Sequence, residues 1–252
     1  MSLASDKIQK NWEDLIGCIK QIFKEDYPDS TRERLLKMYH DLESRMMLAP
    51  ASGRNYYHNC FPGGYVDHVL RVINSANQIY ELWKSNGANV DNYTEEEVIF
   101  VAMHHDLGKV GDLENDYYTP NESEWHRKNQ GKIYTTNPKL QYMNISDRSL
   151  WLLQEFNIKL NQTEYIGLKL ADGLYDEGNK SYYMSFNPDF ELQTNLAYII
   201  HQADMIASKT ERDKWKYQTE ENKVTITKPT NDIKEQKQVD NLKQKFDELF
   251  AS

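Results

Sequence analysis

The sequence contains only two cysteines in 252 residues, Cys18 and Cys60, far apart and in no Cys-x-x-Cys arrangement. This argues against a disulfide framework and a cysteine zinc knuckle, and makes a reducing, cytoplasmic compartment the expectation. Nowhere do 18 apolar residues run together, so no membrane span is expected. The opening MSLASDKIQKNWEDLIG has no continuous apolar stretch of the secretory kind. Positive charge is also short: 30 Lys plus Arg stand against 39 Asp plus Glu, for a net charge of -9. Such a chain is repelled by extended nucleic acid unless it gathers cations locally, which disfavours long duplexes as partners and favours small ligands. Period-two strand signals are scarce.

What is present is an ordinary globular composition, 39% hydrophobic and 12% aromatic with 17 tyrosines, enough to bury a core without disulfides or structural metal. Apolar residues recur at three- and four-residue spacing, which predicts helices joined by loops rich in Asn, Asp, Gly and Pro. The first helix is expected over 5–24, with Trp12, Leu15, Ile16, Ile19, Ile22 and Phe23 on one stripe. A second starts at Ser30, paired with Glu33 in capping-box form, and runs to Met47. After a Gly/Pro/Asn-rich loop at 49–64 comes a helix over 65–85. The next begins at Thr94, with a capping box to Glu97, and stops at Gly108. Residues 112–145 are polar, aromatic and irregular, and helices resume over 146–157, 162–173 and 190–210. The expected architecture is all-α: one helical domain over 1–211, and an appendage over 212–252 packed on it, with a short strand or loop at VTIT (224–227) and an amphipathic helix over 231–250.

Three places put metal-competent side chains where helices should be buried. His68 falls on the apolar stripe Tyr65, Val69, Val72, Ile73, Ala76 and Tyr80 of its helix. A lone histidine on such a face is ordinarily a core residue. Asp204 follows Ile200 by four on the buried face Leu196, Ile199, Ile200, Ala203 and Ala207, where a carboxylate is costly unless paired or coordinated. His105 and Asp106 end the most hydrophobic run in the chain, VIFVAMHHDLGKVGDL (98–113), where a helix terminus favours a cation. Each has a bland explanation alone, as a core histidine, a buried salt bridge or a helix-end histidine. Together, the four side chains from three helices form a mixed imidazole and carboxylate set. That set suits manganese, iron, cobalt, nickel or zinc, disfavours a calcium cage, and leaves positions open for water and substrate.

The stretches FPGGYVDHVLRV (61–72), VAMHHDLGKVGD (101–112) and HQADMIAS (201–208) resemble the HD-domain metal-dependent phosphohydrolases, over about residues 45–210. The resemblance implies a helical-bundle fold with His68, His105, Asp106 and Asp204 as metal ligands. Within that family, APASGRNYYHNCFPGGYVDH looks most like a branch acting on RNA 3′ ends. Members that bind two ions carry a further histidine pair between the HD motif and the last aspartate, where this sequence has Leu170 and Ala171. The expectation is therefore a single divalent ion, drawn from manganese, iron, cobalt, nickel, zinc or magnesium.

The chemistry implied is hydrolysis of a phosphate ester or anhydride, with Asp106 and Lys109 as the catalytic pair and Lys109 also on the phosphate. Arg54 and His58 are further substrate-binding candidates, and Asp172 is a second candidate beside Asp106 for assisting proton transfer. From Trp125 to Arg148 five basic residues, Arg127, Lys128, Lys132, Lys139 and Arg148, face one acid, Asp147, with Trp125, Tyr134 and Tyr142 interleaved. Cations hold phosphates while rings stack on bases, so Arg127 and Lys128 join the substrate-binding set and a nucleotide is the expected substrate. The alternatives are a 3′-5′ exonuclease on single-stranded ends and a non-catalytic scaffold that binds a nucleotide or a protein. His40, His126 and His201 are expected to be surface or structural residues, and His104 to support the helix end.

Overall fold

A computed structural model describes residues 3–23, 31–185 and 187–222. Among them the chain is mostly helical, with ten α-helices and one two-stranded sheet. Helix α1 spans Ser5–Ile22 and buries Ile8, Trp12, Leu15 and Ile19. Where one helix was expected over 30–47, two are found, α2 at Thr31–Asp41 and α3 at Glu43–Leu48, broken at Leu42. No glycine or proline marks that break. The chain turns there, and Leu42, Met46 and Met47 are all buried in the core. The proposed cap at Ser30 lies outside the described residues.

Helix α4, Gly64–Ser85, is central and packs against α1, α3, α5 and α10. Helix α5, Glu95–His104, buries every residue from Val98 to His104, as an all-round apolar helix must. It starts with the expected capping box: Thr94 Oγ1 accepts from the Glu97 N–H at 3.2 Å, and Glu97 Oε2 from the Thr94 N–H at 2.6 Å. It does not reach Gly108. Asp106, at φ -107° and ψ 12°, breaks the helix, and a 3-10 turn follows at Leu107–Val110. Gly111, at φ 113°, ends that turn in a conformation other residues avoid. Gly108 has a different reason to be glycine, because an added Cβ would lie 2.3 Å from the Ile145 carbonyl oxygen.

The segment expected to be irregular, 112–145, is more ordered than that. Strands β1, Tyr118–Pro120, and β2, Tyr134–Thr136, pair antiparallel with Tyr118 opposite Thr136, and α6, Glu124–Gln130, lies between them. Backbone bonds fasten this insert to the loop before α4: Asn55 N–H to Gly131 O at 2.8 Å, and Tyr134 N–H to Gly53 O at 3.0 Å. Arg45 on α3 anchors its beginning by donating to the carbonyls of Asp112 and Leu113. Helices α7, Ile145–Glu155, and α8, Gln162–Lys169, follow. The helix expected to run to 173 ends at Lys169, giving way to 3-10 turns and the short α9, Lys180–Tyr183.

Helix α10, Leu196–Asn222, begins and ends later than the expected 190–210. Pro188–Phe190 forms a separate 3-10 turn, and the Leu196 N–H is taken by Thr194 Oγ1 at 3.2 Å. The boundary expected between 211 and 212 falls inside α10, while the strand at 224–227 and the helix at 231–250 lie outside the described residues. One hydrophobic cluster joins α1 through α5, α7, α8 and α10. No described helix is long and apolar enough to cross a membrane.

Candidate metal centre

Three helices deliver their polar side chains to one point beside α4. His68 is wholly buried on α4, with Nε2 3.2 Å from Asp204 Oδ1 of α10 and 3.5 Å from Asp106 Oδ2. His105, at the end of α5, places Nε2 3.5 Å from the same Asp106 oxygen and 4.0 Å from Asp204 Oδ1. The turn after α5 is what allows this. Adjacent residues within a helix diverge by about 100°, and Asp106 is freed of that constraint by leaving helical geometry.

The back of each ring is held. His105 Nδ1 lies 2.8 Å from the Ala102 carbonyl, to which it donates. His68 Nδ1 lies 3.2 Å from both oxygens of Glu211, which is buried on α10 one turn beyond Ala207. Both contacts hold a proton on Nδ1 and turn Nε2 into the cluster, the arrangement found behind metal-ligating histidines. Glu211 was not anticipated from the sequence. Its signal, a third acidic or small residue on the Asp204 face seven positions on, was hidden by the expectation that the helix stops at 210.

The Nε2 atoms of His58, His68 and His105 are all buried without a hydrogen-bond partner. Those of His68 and His105 face the two carboxylates at 3.2–4.0 Å without hydrogen-bond geometry, and buried polar atoms left so carry a cost that a cation removes. His68, His105 and Asp204 form one group that could hold a metal ion, and His58, His68 and Asp106 a second sharing His68.

The charges are strongly coupled. Burial alone would lower the His68 pKa, but the Glu211 and Asp204 carboxylates outweigh it and raise it to about 10. His105 is likewise raised, its burial outweighed by Asp106 and Asp204. Burial opposes ionisation of Asp106, yet Lys109, then His105 and His68, hold it well below the usual carboxylate range. Lys109 Nζ sits 2.5 Å from Asp106 Oδ2 and stays charged despite burial. His58 is pushed far down by burial and by the charges of His68 and Lys109. Asp172 is raised by burial and by the negative charge of Asp106; its Oδ2 accepts from Ser146 Oγ at 3.2 Å.

A cleft of ≈ 290 Å³ adjoins the cluster, lined by Arg54, Tyr57, His58, Lys109, Tyr118, Lys132, Tyr134 and neighbouring Ser and Thr residues. His58 and Lys109 belong to both. Arg54 reaches the cleft with its guanidinium 2.5 Å from the Tyr56 hydroxyl. Arg127 and Lys128 do not line it: they lie on α6, where Lys128 pairs with Glu124. Lys132 lines it instead, brought there by backbone pairing with Arg54. A larger depression of ≈ 580 Å³, lined by Arg34, Asp147, Lys159 and Tyr165 among others, shares no residue with the cluster. No protein-family model, curated protein or solved structure matches the chain.

Proposed function

We propose that this chain is a metal-dependent phosphohydrolase of the HD-domain type that cleaves a phosphate ester or anhydride of a nucleotide. The observation that carries it is the convergence of three buried imidazole nitrogens, none of them hydrogen-bonded, on two carboxylates at the wall of a cationic cleft. His68, His105, Asp106 and Asp204 would hold the ion. A divalent ion held there would supply Lewis acidity, to a bound water or to a phosphoryl oxygen. Lys109 turns from Asp106 to the phosphoryl group and offsets its charge, while Arg54 and Lys132 hold more distal phosphate oxygens. Tyr118 and Tyr134 give the cleft ring surface against which a base or sugar packs. Asp172, held above the usual carboxylate range by burial and by Asp106, is the candidate for returning a proton to the leaving oxygen.

The size of the cleft favours a nucleotide. At ≈ 290 Å³ it falls near the lower end of small-molecule sites, about 300–1,000 Å³, and the acidic chain repels a longer polyanion. The test is phosphate or nucleoside release from a panel of ribo- and deoxyribonucleotides and a short single-stranded oligonucleotide, with manganese, cobalt or nickel added. Turnover of mononucleotides supports the reading. Turnover confined to the oligonucleotide replaces it with a single-strand exonuclease, and inert protein without stoichiometric metal replaces it with a binding scaffold.

A further inference from the structure

We propose that His58, in the loop between α3 and α4, is itself a ligand to the ion, giving the centre three imidazoles and two carboxylates. This rests on the metal reading of the site above and changes the expected role of His58 from substrate contact to metal ligand. Its Nε2 is shut off from solvent and has no hydrogen-bond partner. Its donor atom lies within 4.8 Å of those of His68 and Asp106, and its ring centroid is 4.6 Å from that of His68 at 34°. Donors bound to one ion at ~2.0–2.2 Å stand at most about 4.4 Å apart, so the two groups, which share His68, would draw inward on a common ion.

The loop is built to hold that ring in place. Ser52 Oγ donates to the His58 carbonyl at 2.6 Å, and the Ala51 N–H donates to the Asn59 carbonyl at 3.1 Å. Asn59, in a left-handed conformation with φ 41°, donates from Nδ2 to Asp67 Oδ2 at 3.0 Å on the first turn of α4. Gly64 completes the fit, because a Cβ there would stand 2.1 Å from the Asn59 carbonyl oxygen. The glycine pair at the start of α4 thus lets the loop cross the helix start and set His58 against His68, four residues on from Gly64. A ring that only touched substrate would not need this fastening, or a nitrogen shut off from solvent beside His68 and Asp106.

Five protein donors leave one position of an octahedral shell for water or a phosphoryl oxygen. Three imidazoles also shift the preference towards iron, cobalt, nickel or zinc and away from magnesium.

The test uses the full chain stripped of metal and titrated with cobalt(II), read by affinity and by the visible d–d spectrum. Wild type, His58→Ala, His58→Gln and His68→Ala are compared, with thermal unfolding in chelator as the folding control. The expected result is one cobalt per wild-type chain and a loss of affinity of at least about tenfold in His58→Ala. The spectrum should change in both His58 variants, and free imidazole should restore the wild-type spectrum in His58→Ala. If both His58 variants keep wild-type affinity and spectrum while His68→Ala loses cobalt, the His58 proposal fails alone. If wild type takes up no cobalt, the metal reading fails with it.

Discussion

Replacing Glu211 tests whether the site is organised around an ion or is only a buried ion-pair network. Both carboxylate oxygens lie 3.2 Å from His68 Nδ1, and the side chain is 1% exposed. Its other charged neighbour is Arg71, with Nε at 3.5 Å. Glutamine keeps the shape and an acceptor but loses the charge, and a charge-assisted hydrogen bond is roughly twice as strong as a neutral one. Removing the carboxylate behind a ligating imidazole costs about 10–100-fold in metal affinity, with glutamine at the low end and alanine at the high end. With free metal at about 1,000 times the wild-type Kd, binding stabilises the wild type by about 4 kcal/mol; a hundredfold weaker site gains only about 1.4 kcal/mol. At about 2–4 °C per kcal/mol for a chain of this size, the metal-induced rise in Tm should shrink by roughly 5–10 °C in Glu211→Ala. Chelator competition and thermal unfolding with and without cobalt read both quantities. Variants with wild-type Kd and an undiminished metal-induced shift would show that Glu211 does not orient His68 for a metal.

Gly108→Ala should destabilise the fold by about 1–3 kcal/mol through overpacking, since the new methyl meets the Ile145 carbonyl and the Arg148 Cβ. It should also lower turnover by displacing the turn that carries Asp106 and Lys109; wild-type Tm and activity together would refute the close approach. His104 is buried with its pKa lowered to about 4 by burial, its Nδ1 donating to Phe100 O at 2.7 Å and its Nε2 accepting from the Tyr39 hydroxyl at 3.3 Å. It folds neutral, so its contribution is complete above its ordinary 6.5 and lost as pH falls from there through about 4, a change of about 3 kcal/mol. In chelator, His104→Gln should therefore lose less stability over that window, and equal slopes would count against the neutral ring. Burial raises the Cys18 thiol to about 11 and the Cys60 thiol to about 12. Alkylation near neutral pH should accordingly be slow in the native protein and fast on unfolding, and rapid native labelling would contradict this.

His68 and Asp204 were legible because each stood on a helical face that its own apolar neighbours defined, and His105 and Asp106 because they ended the most hydrophobic run in the chain. Burying an unpaired charge there is costly whatever the tertiary arrangement. Their common meeting point required knowing how α4, α5 and α10 pack, which periodicity does not contain. Glu211 was lost because the helix was expected to end at 210, one residue short of it, whereas α10 runs on to Asn222. Lys132 was seen as one cation among five, and only the backbone pairing of 53–55 with 131–134 moved it into the cleft while leaving Arg127 and Lys128 on α6. The break at Leu42 had no glycine or proline to announce it. Gly108 was read as a helix stop, but its constraint is the neighbouring backbone of α7, a long-range contact that sequence spacing does not show.

The most direct measurement is phosphate release from a nucleoside phosphate panel by wild type and Asp106→Ala, each assayed with chelator and with manganese, cobalt or nickel, alongside the metal content of both proteins. Metal-dependent turnover by wild type, abolished together with bound metal in Asp106→Ala, is the predicted result. Equal activity or equal inertness of the two proteins, with no stoichiometric metal in either, would contradict it.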